Sequence, residues 1–148
     1  MKKLFIALLI GIGAYGYLQN NPDAIPTFTD ALANESVENN DVIADAYQNQ
    51  SSDIQVSGSG RVKRILSDDT KGRRHQRFIV RLSSGQTLLI AHNIDLAPKI
   101  RSLQKGDVVE FFGEYAWNSK GGVIHWTHHD PAGRHIGGWL KHNGRTYQ

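Results

Sequence analysis

From Ile54 onward apolar and polar residues alternate with a period of two; before it they do not. Such alternation puts successive side chains on opposite faces of a pleated strand, one face inward and one to solvent. IQVSGSGRVKRIL (54–66) is the first predicted strand, and Gly58 and Gly60 inside it predict a bend or bulge. HQRFIVRL (75–82) puts Phe78, Val80 and Leu82 on one face and Arg77 and Arg81 on the other. After a Ser-Ser-Gly turn, QTLLIAH (86–92) reads as a third strand. KGDVVEFFGEYAWN (105–118) reads as a long fourth, and beyond the NSKGG turn VIHWTHH (123–129) reads as a fifth. Between the third and fourth, NIDLAPKIRSL (93–103) predicts a short helix or helical turn, with Asp95 as its N-cap and Pro98 limiting its regularity.

The resulting order, β-β-β-α-β-β with bent first and fourth strands, describes a mainly β fold, a five-stranded OB-like barrel. A β-sandwich would need more strands, and an SH3-like barrel would lack the intervening helix. The expected core is Val56, Val62, Phe78, Val80, Leu82, Leu88, Ile90, Leu96, Ile100, Leu103, Val109, Phe111, Ile124 and Trp126. The glycine-rich tail after Pro131 has too few apolar residues for an element of its own. It is expected to wrap the barrel, pinned by Ile136, Trp139 and Leu140.

Three segments follow from this pattern. Residues 1–18, MKKLFIALLIGIGAYGYL, join two lysines to an uncharged apolar run, the layout of a signal peptide or an uncleaved N-terminal anchor. Residues 19–53 form an acidic linker. It carries a short helix over 41–50, with Asp41 as N-cap and Val42, Ile43, Ala46 and Tyr47 near one face, expected to pack on the domain that follows. Residues 54–148 form the barrel domain with its histidine-rich tail. The expectation is an exported protein, periplasmic or secreted, that meets the inner membrane only through an uncleaved N-terminal segment.

Charge sharpens this division. Residues 21–53 hold seven acids and no Lys or Arg, whereas 54–148 hold fifteen Lys or Arg against seven Asp or Glu, a formal +8. A basic domain of this kind points to a polyanionic partner, nucleic acid or polysaccharide, or to a merely soluble basic surface. The chain has no cysteine. That excludes disulfides, thiolate metal sites and a cysteine nucleophile. No G-x-S-x-G, phosphate-binding loop or dinucleotide fingerprint occurs either.

The stretches GSGRVKRILSDDTKGRRHQRFIVRL, SGQTLLIAHNIDLAPKI, KGDVVEFFGEY and GGVIHWTHHDPAGRHIGGWLKHNG resemble a family of small exported bacterial domains of unknown function. The resemblance runs from about Ile54 to the C-terminus, and HNIDLAP and HWTHHDP make it specific. It implies an exported bacterial protein with a small barrel domain, and it brings no activity or catalytic residues.

Candidate chemistry falls in two places. OB-type barrels bind ligands on the strand 2–3 face, bordered by the 1–2 and 4–5 loops. Here those parts carry Lys71, Arg73, Arg74, His75 and Arg77, then Trp117 and Lys120. The cations would track phosphates, and Tyr115, Trp117 and Trp139 would offer stacking platforms unless the core claims them. Asp68 and Asp69 in the first loop are expected to cap the turn or neutralise its arginines rather than to hold a cation.

The second place is the C-terminal cluster, five of the chain's seven histidines within 125–142. If Ile124 and Trp126 face inward, His125 and His129 share the outer face, with His128, Asp130, His135 and His142 close by. Imidazoles with a carboxylate suit a divalent transition metal such as zinc, and an open position would allow hydrolysis. The spacing matches no zinc signature, and hydrogen bonding across a turn explains such histidines equally well. His92, ending an apolar strand, would need a partner if buried. The expected function is therefore a binding module for an anionic polymer. The alternatives are a metal-dependent hydrolase, such as a nuclease, built on His125, His128, His129 and Asp130, and a non-catalytic metal-binding envelope protein.

Overall fold

The computed structural model describes residues 39–148. The expected signal or anchor (1–18) and most of the expected linker lie outside them. Among the described residues no helix is long and apolar enough to cross a membrane. A helix α1 (39–48) precedes seven strands: β1 (Ile54–Ile65), β2 (His75–Arg81), β3 (Thr87–Asn93), β4 (Val108–Ala116), β5 (Val123–His125), β6 (Trp139–His142) and β7 (Arg145–Tyr147).

The first five strands close a barrel in the order β1-β2-β3-β5-β4, shut by a second β1–β4 pairing. All pairs are antiparallel except β3 with β5. Closure depends on β1, whose N-terminal part pairs with β4 and whose C-terminal part pairs with β2. Arg61, where the two ladders meet, faces both Val108 and Arg81. The expected glycine bend lies just before that point. A Cβ on Gly58 would sit 2.7 Å from the Phe111 ring, and one on Gly60 would sit 2.9 Å from Val80 Cβ. Bare backbone lets the strand fold over both. The β1–β2 register then slips between Val62 and Arg64, a bulge that adds local twist.

Twelve of the fourteen expected core residues are buried. Leu96 instead lies on an exposed turn, and Trp126 is only half-buried. The core also takes Tyr115, Leu140 and Tyr147, and α1 inserts Ile43 and Ala46 as expected, while Val42 turns outward.

Three elements differ from the sequence expectation. Between β3 and β4 there is one helical turn, closed by the Ala97 N–H on the Asn93 carbonyl, and no longer helix. Pro98 brings no N–H to continue it. The buried Gln76 amide holds the segment instead, donating to the Ile100 carbonyl and accepting from the Ile100 N–H at 2.9 Å each. Asp95 caps no helix; its carboxylate accepts from the Arg74 N–H and Nε. Finally, the tail does form an element. β6 pairs with β4 and turns into β7 through Asn143-Gly144, at φ +48° and +75°. An Asn-Gly pair with both residues at positive φ is the two-residue hairpin turn. Ile136, expected to pin the tail, is 61% exposed.

Candidate functional site

Two regions gather chemistry-bearing side chains: a basic face where β1 passes from β4 to β2, and the histidine-rich exit from β5.

At the first, β1 diverges from the start of β4 and runs on beside β2. One groove of about 620 Å³ is lined there by residues including Gly60, Arg61, Val62, Lys63, Arg81, Leu82, Lys105 and Val108. A second of about 520 Å³ adjoins it, sharing Lys63 and Lys105 and adding Arg64, Ile65, Ile79 and Thr87. Arg61, Lys63, Arg64, Arg81 and Lys105 thus line one continuous trough with no carboxylate in its wall. Among the described residues none of the five takes part in an ion pair. Arg61 donates to the Gly106 carbonyl at 2.6 Å and directly faces Arg81 across the ladder. Asp107, next in sequence to Gly106, points its carboxylate elsewhere, accepting from the Gln104 N–H and the His142 ring. These bonds hold its pKa below the usual carboxylate value.

The residues named from sequence fare unevenly. Lys71 and Arg73 are exposed on the β1–β2 loop, at the opposite end of β2 from Arg81. Arg74 is committed to Asp95 at 2.7 Å, and that bonding depresses the Asp95 pKa. Arg77 donates to the Ser67 carbonyl through Nε and Nη2, and His75 Nδ1 meets the Arg73 carbonyl. Asp69 caps its turn by accepting from the Lys71 N–H, and Asp68 pairs with Lys99. Trp117 is half-buried. Its indole N–H donates to the Tyr47 carbonyl at 3.1 Å and its ring packs on the core, which also buries Tyr115. Lys120 stands at the far end of β3, beside Gly121 and Thr87, whereas the β1–β2 loop meets Asn93. The seven residues of β3 separate the two loops by about 20 Å. The sequence reading missed Arg61, Lys63, Arg64 and Lys105, although G-R-V-K-R carries the signal as cations on both sides of a core valine.

At the second region β5 ends at His125, because Trp126 takes a left-handed backbone at φ +54°. That reversal flips the alternation: Thr127 and His128 are buried and His129 is exposed. Such a backbone costs an ordinary residue on the order of 1–2 kcal/mol and requires support. The support is visible, since the Trp126 ring stacks on His135 at 3.9 Å and 7° and leans on His128 at 5.3 Å.

Each imidazole then finds a local partner. Both nitrogens of His135 face acceptors, Ile136 O at 2.7 Å and Glu114 Oε2 at 2.6 Å. A carbonyl and a carboxylate both accept, so a ring with two N–H groups satisfies both. Burial pulls its pKa down, but these bonds and the charges of Glu114 and Asp130 outweigh burial and hold it above the ordinary histidine value. His125 Nε2 lies 3.1 Å from Glu114 Oε1, without the angle of a hydrogen bond. Burial lowers its pKa against the pull of Glu114. Asp130 accepts three backbone N–H bonds, from Ala132, Arg134 and His135, which depress its pKa. His128 Nδ1 meets the His129 carbonyl. His92 lies fully buried between Thr127 Oγ1 at 2.8 Å and Pro98 O at 3.1 Å, with its pKa pushed by burial down to about 4.

Of the five residues expected around a metal, His125 and His135 therefore converge, on Glu114, which the sequence reading did not name. His128, His129 and Asp130 do not join them. No group of three or more His, Asp or Glu among the described residues could hold a metal ion. The arrangement fastens the β5 exit to β4 through a carboxylate held between two rings.

Comparison with known proteins is brief. A family model described as protein of unknown function, DUF3465, matches residues 27–148. No curated protein matches the chain.

Proposed function

We propose, from the premise that this chain belongs to the DUF3465 family of proteins of unknown function, that its barrel is a binding module for anionic polymers. The supporting observation is the trough at the β1 crossing: Arg61, Lys63, Arg64, Arg81 and Lys105 line it, and among the described residues no carboxylate lines it and none of the five is neutralised by an ion pair. Fixed positive charge held in a concavity raises the local concentration of anions and steers their approach. Guanidinium groups add bidentate bonds to phosphate or sulfate oxygens.

Binding of labelled oligonucleotide and of heparin to the full chain tests this reading. The wild type binds at low salt in the presence of chelator. Arg81→Glu with Lys105→Glu, both exposed positions, abolishes binding and leaves the melting temperature close to wild type. Equal binding by the double variant would contradict the reading. The proposal includes export, which rests on the lysine-plus-apolar pattern of residues 1–18. Fractionation of the producing cell and N-terminal sequencing of the mature protein test that part.

A further inference from the structure

Resting on the anion-binding reading above, we infer that the trough takes linear oxyanion polymers by their backbone charge alone, without reading bases or sugar rings.

The first ground is what the trough lacks. None of its lining residues is aromatic; its apolar members are aliphatic, among them Val62, Ile65, Ile79, Leu82 and Val108. Proteins that bind single strands through their bases stack them on aromatic rings, and this wall offers none. The barrel's half-buried aromatics lie elsewhere: Trp126 stacks on His135, Phe112 lies 6.2 Å from Trp139, and the Trp117 indole donates to the Tyr47 carbonyl.

The second ground is the Arg61–Arg81 pair, two exposed guanidinium groups directly opposite each other across β1 and β2. Like charges in that position weaken the pairing of the strands. A multivalent oxyanion lying between them reverses the sign of the interaction, so the ligand also stabilises the fold. The third ground is shape. Two grooves joined through Lys63 and Lys105 make a trough that accepts a chain, whereas a flat bilayer would have to meet a convex or level surface.

The test is a competition panel on the full chain at low salt. The probes are inorganic polyphosphate, oligo-dT and oligo-dA of equal length, orthophosphate, and phosphatidylglycerol vesicles. Polyphosphate displaces both oligonucleotides, which bind within about twofold of each other because only their charge is sensed. Polyphosphate also raises the melting temperature, and orthophosphate at the same phosphate concentration does neither, because it lacks linked charges. Arg81→Gln weakens all three polymers by the same factor. A base preference of tenfold or more, failure of polyphosphate to displace DNA, or equal competition by orthophosphate would overturn the inference and leave the anion-binding reading standing. Binding to vesicles without binding to soluble polymers would also overturn it. If no probe binds, both fall together.

Discussion

His135 and Glu114 form a charged clasp between the tail and β4: Nε2 lies 2.6 Å from Oε2, while the opposite ring nitrogen bonds the Ile136 carbonyl. The clasp holds the ring against which Trp126 stacks, and Trp126 is the left-handed residue at which β5 ends. The clasp joins the last barrel strands to the tail that returns along β4 as β6.

The raised pKa of His135 makes this junction sensitive to alkali. Its folded pKa is raised, so its contribution is fully present below the ordinary histidine value and is lost as pH rises through the raised folded value. Glu114→Gln removes the charge that holds the second proton. NMR titration should then show the His135 pKa moving down. Denaturant unfolding near neutral pH should show a loss of about 1–3 kcal/mol, the usual cost of breaking a charged hydrogen bond in a partly buried setting.

His92 produces the opposite dependence. Its ordinary value is 6.5 and its folded value is about 4. The unfolded chain therefore takes up a proton that the folded chain refuses, and stability falls as pH drops from about 6.5 towards 4. The full shift corresponds to about 3 kcal/mol. Urea unfolding at a series of pH values should show this acid-side slope. His92→Gln, which does not titrate, should reduce it even if it lowers stability at neutral pH.

Gly60 is where β1 crosses, and a methyl group there would meet Val80 Cβ at 2.9 Å and the Arg81 carbonyl oxygen at 3.2 Å. Neither neighbour can swing aside, since one is fixed to the β2 backbone and the other belongs to it. Gly60→Ala should destabilise by about 1–3 kcal/mol through overpacking, read as a lowered melting temperature. Arg81→Gln, a few ångströms away, should leave stability unchanged or raise it by a few tenths of a kcal/mol, because it relieves the repulsion from Arg61.

The barrel was legible because alternation is a property of the strands themselves, and the glycine bend and the Ser-Ser-Gly and NSKGG turns set its punctuation. What was not legible depends on partners distant in sequence. Gln76 replaces a helix between β3 and β4 by bonding Ile100, and no local pattern announces that. The reversal at Trp126 buries Thr127, expected on the outer face, and leaves Trp126 half-buried, because a left-handed residue breaks the period of two. Asn143-Gly144 did carry a hairpin signal, and the four tail glycines drew the reading away from it. Glu114 looked like one more polar residue on an alternating strand until the fold placed two imidazoles on its carboxylate. The basic trough needed β1 to cross from β4 to β2 before Arg61, Arg81 and Lys105 became neighbours.

The central claim is that the trough binds polymers through fixed charge, and the most direct measurement is affinity for oligo-dT as a function of salt, in wild type and Arg81→Gln. Five cations on a single strand give a slope of log K against log salt of about −3.5, so affinity should fall about a hundredfold between 50 and 200 mM. Arg81→Gln should reduce the steepness of that slope by about 0.7. A slope near zero, or one that Arg81→Gln leaves untouched, would contradict the account.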